Sequence, residues 1–500
     1  MLLLDMHLNI GWNPFSQYAL AFVALSWVWV LQLQRRRQQH IPGPFLARWT
    51  HLWLAYYAYR GRRYAAVHDA HQRYGALVRI APNHVSIASP DALSVVYGQG
   101  TNAPAKSPFY NAFVCDGKPS LFSTRDRQDH SKKRRAVSHA FSSSALREFV
   151  PMIQLSVNRF TKRMDELCNK EEFFDALPWF NYLAFDILSD LVFGERIGMV
   201  DKGSDVVTIN TSSSIAVNKN AIALVDEREH FSAVIGIHPS LQWAARLMSF
   251  LPGQQASLGL EELGRSQVLK RLSSGTNRND MLGKLIEAHG FDGRGPSVDE
   301  IGELTAESVT LLIAGSDTTS NSVAVILHFI FTHPRVYEKL LGLLDQAAAG
   351  QKELSYEQAK DIPYLQATIN EGLRLHSVNS IGLHRSAPSS GLVYNGHFFP
   401  EGTELSVPAW TISHSHELWG DPEVFRPERW QENTELRQYL LAFGKGPRAC
   451  IGKNLAYIEM ILIVATMLLR YKIEVRSQEL QTTEGFMHKP LHFWIKLRSI

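Results

Sequence analysis

Cysteine is scarce in this chain. Among 500 residues there are three, Cys115, Cys168 and Cys450, far apart. They can build no disulfide framework and no CxxC zinc pair, and they fit a reducing, cytosol-facing setting. Charge of one sign is also lacking. Against 51 Lys and Arg stand 48 Asp and Glu, a net +3, too little to point to a nucleic-acid partner. From about residue 45 onward there is no low-complexity linker and no internal repeat. No flavin or dinucleotide fingerprint occurs. What remains is one large body with helices dominating, 45% hydrophobic and 20% charged, an ordinary globular balance.

The N-terminus differs from that body. FSQYALAFVALSWVWVLQL, residues 15–33, carries no charge and is about as long as a bilayer core requires. Arg35–Arg37 follow, then IPGP, where Pro42 and Pro44 stiffen a hinge. Basic residues after the apolar run favour a cytosolic bulk. A cleaved signal peptide has the opposite order of charge and apolar run.

The segment from Ser297 to His333 has helical spacing. Ser297 and Glu300 are spaced as a capping box, and Pro334 stops the pattern. At 1.5 Å per residue, about 36 residues span about 54 Å. A helix of that length crosses the whole body and is largely buried. Its middle, AGSDTT (314–319), is polar. Ser and Thr at such positions bond back to carbonyls and bend a helix. One reading is a tolerated polar kink. The other is a local opening, with Gly315 giving space and Asp317 and Thr318 offering a proton path.

A second helix, PYLQATINEGLRLH (363–376), puts Glu371 and Arg374 on one face. Alone, such a pair is usually a solvated ion pair. Asn395-Gly396 predicts a hairpin turn between short strands. DPEVFRPERW (421–430) then brings Arg429, an arginine able to lock onto Glu371 and Arg374.

AFGKGPRACIG (442–452) sets Cys450 among glycines and basic residues. The run after Gly452 reads as a helix to Arg470. Cys450 therefore sits near a helix N-terminus, where the dipole and free N–H groups favour thiolate. A nucleophile would want a neighbouring base, and the loop offers only Lys and Arg. Zinc would want more ligands at local spacing. A single thiolate among cations suits a macrocycle whose iron takes one axial ligand and whose carboxylates need cations.

FGKGPRACIG resembles the cytochrome P-450 haem-binding signature, with Phe443, Gly446, Arg448, Cys450 and Gly452 at the expected places. AGSDTT, the Glu371–Arg374 pair, the PERW box and the apolar N-terminus follow the family's order. The resemblance spans essentially the whole chain. It implies the cytochrome P-450 fold, mainly α with small β-sheets. It divides the chain into an N-terminal membrane anchor with basic flank, 1–37, and a haem-thiolate monooxygenase domain, 38–500.

The resemblance also implies roles. Cys450 is the expected axial ligand of haem b, and Phe443 the aromatic that shields it. Glu371, Arg374 and Arg429 resemble the structural triad on the haem side. Arg134, Arg385 and Arg448 match positions that bind the propionates. Thr318 beside Asp317 resembles the alcohol–acid pair that delivers protons to dioxygen. Two departures stand out. His130 occupies the place of a Trp four residues before Arg134, and His384 that of a Pro before Arg385. His130 can still donate to a propionate.

The implied reaction uses dioxygen and electrons from a membrane-bound NADPH–cytochrome P-450 reductase. DRQDHSKKRR (126–135), Lys445 and Lys453 are its expected docking face. The implied location is the endoplasmic reticulum membrane, single-pass, with the body in the cytosol. SPFYNAFVCDGKPSLFSTRDRQDHSKKRRAVSHAFS (107–142) is similar to the matching stretch of fungal benzoate para-hydroxylases. The expected pocket is aromatic, from Phe109, Tyr110, Phe113, Phe122 and Phe486, with Ala314, Val378 and Ile381. It suits a small-to-medium hydrophobic or aromatic substrate, either a fungal secondary metabolite or a benzoate-type acid. A haem-thiolate isomerase or dehydratase is the alternative of another class; the Asp317–Thr318 pair speaks against it.

Overall fold

The computed structural model describes residues 41–210, 216–248, 250–274, 278–290 and 295–500. The expected anchor at 1–37 lies outside the described residues. Among the described residues, no helix is long and apolar enough to cross a membrane.

The central helix, Val298–Thr332, organises the body. Ser297 caps it: its Oγ accepts from the Glu300 N–H at 3.3 Å, and Glu300 Oε2 accepts from the Ser297 N–H at 2.8 Å. Asp299 and Glu300 in its first turn oppose the positive end of the dipole. Its later turns, Val323–Leu327, are buried all round, as a helix inside a large core must be. Helices Leu177–Phe193, Pro252–Ser274, Pro363–Leu375 and Lys453–Arg470 pack most extensively on it. Pro334 ends it and starts the next helix, Pro334–Ala348.

The AGSDTT stretch stays helical throughout. Its hydroxyls are satisfied locally: Ser316 Oγ donates to Leu312 O and Thr318 Oγ1 to Ala314 O, both at 2.7 Å. The space at Gly315 serves packing. A Cβ there would meet the Leu188 side chain at 2.7 Å, so glycine lets helix Leu177–Phe193 approach. The expectation that Gly315 opens the helix toward a site is corrected on this point.

A five-stranded sheet borders the helices. Its spatial order is Leu77–Ala81, His84–Ile87, Glu404–Ser406, Arg385–Ser386, Ala105–Lys106. The last two strands put Lys106 directly opposite Arg385. Leu392–Tyr394 and His397–Phe399 form the expected hairpin. Asn395 and Gly396 take φ of 48° and 75°, the left-handed pair its tight turn needs. Near the C-terminus, strand His488–Pro490 pairs with Thr482–Glu484. That hairpin carries Phe486 at its turn and Lys489 on its second strand.

Candidate functional site

Glu371 and Arg374 are not a solvated pair. Both side chains are fully buried, and Arg374 Nε and Nη2 donate to the two carboxylate oxygens at 3.0 and 2.9 Å. Arg429 Nε donates to Oε1 at 2.9 Å. Trp430 Nε1 donates to Oε2 at 2.9 Å, and the Arg426 backbone N–H to Oε1 at 3.0 Å. The remaining guanidinium groups reach backbone carbonyls of Ser413, Trp419, Asp421 and Val424. One buried carboxylate thus ties the helix of Arg374 to the segment leading toward Cys450. Such an ion pair is tolerable when its other hydrogen bonds are satisfied, and here they are.

The loop before Cys450 folds tightly. The Cys450 N–H donates to Phe443 O at 2.8 Å, and Ala449 N–H to Gly446 O at 2.9 Å. Gly446 has φ of 75°, and a Cβ there would lie 1.8 Å from Tyr97 O. Only glycine fits. Phe443 lies against Tyr457, ring centroids 5.3 Å apart. Gly452 is the N-cap of helix Lys453–Arg470.

The Cys450 thiol is accessible at its surface yet surrounded by protein. Burial raises its pKa; the N–H groups of Gly452 and Lys453 and the charge of Arg134 act the other way. The terminal N–H groups thus favour thiolate, as expected, with burial opposing them. A coordinated metal ion would remove the proton outright.

Near that thiol lies an unbalanced set of cations. Arg134 Nη1 donates to Ala449 O at 2.9 Å, next to Cys450. Arg448 donates to the carbonyls of Thr124, Arg125 and Asp126. Arg385, 3% exposed, donates to Tyr110 Oη at 3.2 Å and to His384 O at 2.9 Å. Lys106 donates to Phe122 O and lies over the Tyr110 ring at 4.1 Å. Among the described residues, none of these four reaches a carboxylate within ion-pair distance. They repel one another. Burial and then Arg385 lower Arg448 to about 10; burial, Arg385 and Arg448 hold Lys106 well below the usual lysine range. His130 is buried beside them, its pKa pushed down to about 3 by burial and by Arg448, Lys106, Arg134 and Arg385. It is a neutral imidazole.

Lys106 was missed in the sequence. Its signal was a lone lysine in the apolar stretch APAKSPFY. His384 stands apart from the cation set: it stacks on Phe109 at 4.1 Å and faces Glu404 Oε2 at 3.4 Å.

The aromatic residues meet in one cluster. Phe109, Tyr110, Phe113, Ile381 and Phe486 are buried together with Phe122 against them. Phe113 meets Phe486 edge-on at 4.8 Å, and Phe122 meets both at 5.4 and 5.5 Å. Val378 and Ala314 lie outside that cluster. Ala314 is exposed in mid-helix, one turn before Thr318. Asp317 is 2% exposed, and its Oδ1 accepts from Asn321 Nδ2 at 3.0 Å.

Part of the expected docking face is already engaged. Lys133 pairs with buried Glu307 at 3.2 Å, and Arg127 donates to three carbonyls near Gly100. Lys132, Arg135 and Lys453 remain exposed.

A thiol near a helix start, with uncompensated cations near it and a locked carboxylate–arginine triad holding the segment that leads toward it, defines a site for an anionic, metal-bearing macrocycle. The cytochrome P450 family model matches residues 40–497. The benzoate 4-monooxygenase bphA of Aspergillus niger is 38% identical over 97% of this chain and 98% of its own. Pisatin demethylase of Fusarium vanettenii is 30% identical over 96% and 94%. A cytochrome P450 monooxygenase of Penicillium roqueforti, ORF9, is 30% identical over 93% and 91%. The chain belongs to the cytochrome P450 family. It is an oxidoreductase of the monooxygenase type, and its cofactor is haem held by a cysteine thiolate. The donor set fits that cofactor: one accessible thiol for iron, and cations without carboxylate partners for two propionates.

Proposed function

We propose that Cys450 would supply the thiolate that holds the haem iron and that Arg134, Arg385, Arg448 and neutral His130, joined by Lys106, would hold the propionates. The observation that carries this reading is the cation set itself. Burial and Arg385 lower both Arg448 and Lys106, and such desolvated cations are costly unless an anion completes the site. Phe443 covers the thiolate side, with Gly446 and Gly452 shaping the loop. Glu371, Arg374 and Arg429 hold the segment that presents it.

Haem held there would supply the dioxygen-activating chemistry, and the Cys450 thiolate would donate electron density to it. The chain's own residues do the rest. One oxygen atom enters the substrate and the other leaves as water, which takes two electrons and two protons. Asp317 passes protons and the Thr318 hydroxyl hands them on. The cluster of Phe109, Phe113, Phe122 and Phe486 binds an apolar or aromatic substrate and excludes water.

The substrate is a small-to-medium hydrophobic or aromatic molecule, in the first reading one of fungal secondary metabolism. A benzoate-type aromatic acid is the second reading, favoured by the relative that acts on benzoate and matches nearly the full chain. Electrons come from NADPH–cytochrome P-450 reductase, docking on the exposed Lys132, Arg135 and Lys453. Residues 1–37 anchor the chain in the endoplasmic reticulum membrane, with 38–500 as the catalytic body on the cytosolic side.

The test is reconstitution of the full chain with haem, reductase and NADPH, adding benzoate under isotopically labelled dioxygen. A high-spin shift and label in a hydroxylated product support the second reading. A thiolate spectrum without a benzoate shift moves the substrate to a larger pathway intermediate. NADPH-independent turnover of a substrate would instead favour an isomerase or dehydratase.

A further inference from the structure

Three neighbouring strands of the five-stranded sheet bring two histidines and a glutamate to one face. Glu404 lies directly opposite His84 in the parallel pair, and Leu405 opposite Arg385 in the antiparallel one. Side chains alternate along a strand, so His384, one residue before Arg385, shares the face of Glu404. The contacts agree. His84 Nδ1 lies 3.7 Å from Glu404 Oε2, and His384 Nδ1 lies 3.4 Å from the same oxygen. The two imidazole rings are 4.5 Å apart. One ligand atom from each of the three residues falls within 4.8 Å of the others.

The charge balance there is incomplete. The His84 and His384 side chains are 3% and 4% exposed, and that of Glu404 18%. Among the described residues, the groups within ion-pair distance of Glu404 are these two imidazoles, with no Lys or Arg. Burial holds both imidazoles well below the usual histidine range and raises Glu404. The neutral rings offer lone pairs and no counter-charge. His84 Nε2 is 2.8 Å from Ser406 Oγ. With the ring proton on that nitrogen and donated to the hydroxyl, Nδ1 turns a lone pair toward the carboxylate. Two acceptors so placed want a cation between them. Metal-binding histidines are oriented in this way, through a hydrogen bond at the other ring nitrogen.

The dimensions suit a small divalent ion. Tetrahedral bonds of about 2.0–2.1 Å put ligand atoms about 3.4 Å apart, close to the two separations from Glu404 Oε2. His84, His384 and Ser406 also border a cavity of about 20 Å³, with room for a water in the fourth position. Arg63 borders it too, but its charge is met by Glu484 at 3.2 Å.

We infer that His84, His384 and Glu404 form a binding site for a zinc-type divalent ion, which clamps the three strands that carry or adjoin them. Two imidazoles with one carboxylate favour such an ion over calcium or magnesium, which take oxygen ligands. The role is structural, and no bond or electron changes hands beyond coordination. His384 adjoins Arg385 and stacks on Phe109 at 4.1 Å, so the ion steadies the sheet beside both. The inference does not depend on the roles proposed for Cys450 or Asp317.

The experiment takes the haem-loaded full chain, clears it with a chelator and dialyses it against zinc(II). Zinc per chain and the melting temperature are read for wild type, His84→Gln, Glu404→Gln and Ser406→Ala. Wild type is expected to keep one zinc more per chain than His84→Gln or Glu404→Gln, and to melt higher as zinc rises. Ser406→Ala keeps all three ligands but loses the hydrogen bond that orients His84, and should bind zinc about tenfold more weakly. The zinc X-ray absorption spectrum of wild type reads the ligands without any variant. Two imidazole nitrogens with carboxylate or water oxygens are expected. Equal zinc in wild type and both ligand variants, no zinc-dependent rise in wild-type melting, or a zinc spectrum without two imidazoles overturns the inference. Where a ligand variant does not fold, the wild-type spectrum and melting curve decide.

Discussion

Arg429 Nε donates to Glu371 Oε1 at 2.9 Å from 58 residues away, with both side chains buried. The carboxylate also holds Arg374, Trp430 and a backbone N–H. Glu371→Gln would leave buried Arg374 without a counter-charge and buried Arg429 with only the part-exposed Asp421 carboxylate at 2.9 Å. The expected cost is about 3–5 kcal/mol. A melting curve and haem content check it: the variant should melt well below wild type and retain little haem.

Two glycines of the cysteine loop separate close approach from backbone conformation. Gly444 and Gly446 both have positive φ, 65° and 75°, but only Gly446 abuts another chain segment, Tyr97 O. At Gly444 the nearest atom to an added Cβ is 3.5 Å away. Gly444→Ala should cost about 1–2 kcal/mol of left-handed strain and keep the haem. Gly446→Ala should lose it. Haem content per chain is the measurement.

Thr318 Oγ1 now bonds back to Ala314 O, a bond the helix can spare. Thr318→Ala should therefore melt like wild type. Product per NADPH should fall about tenfold or more as proton supply fails, with hydrogen peroxide accounting for the difference.

Several buried histidines make the protein acid-sensitive. Burial lowers His376 from 6.5 to about 4 and His414 to about 3. Unfolded, each returns to its ordinary value and takes up a proton first. Stability is therefore full above about pH 6.5 and falls as pH drops toward about 4. The urea midpoint should decline from neutral pH to about pH 5. His376 stacks on His488 at 4.1 Å, so His376→Phe keeps the ring contact. That variant should flatten the decline by about one proton.

Local signals were legible in the sequence. The Ser297–Glu300 capping box, the Asn395-Gly396 turn and the cysteine loop each depend on a few adjacent residues, and each formed as read. Long-range meaning was not. The lock of Arg429 on Glu371 and Arg374 was expected, but not the Trp430 and Arg426 N–H groups that complete it. Lys106 meets Arg385 only through strand pairing, and Lys489 reaches Asp317 only because the C-terminal hairpin folds back over the central helix. Gly315 was read as an opening because spacing gives no sign of Leu188 on the facing helix.

The most direct measurement is the reduced carbon-monoxide spectrum of haem-loaded wild type and Cys450→Ala. The account predicts a thiolate-type band in wild type that is absent from the variant, while the Glu371–Arg429 contact keeps the variant folded by melting curve. A thiolate-type band that survives in Cys450→Ala would contradict it.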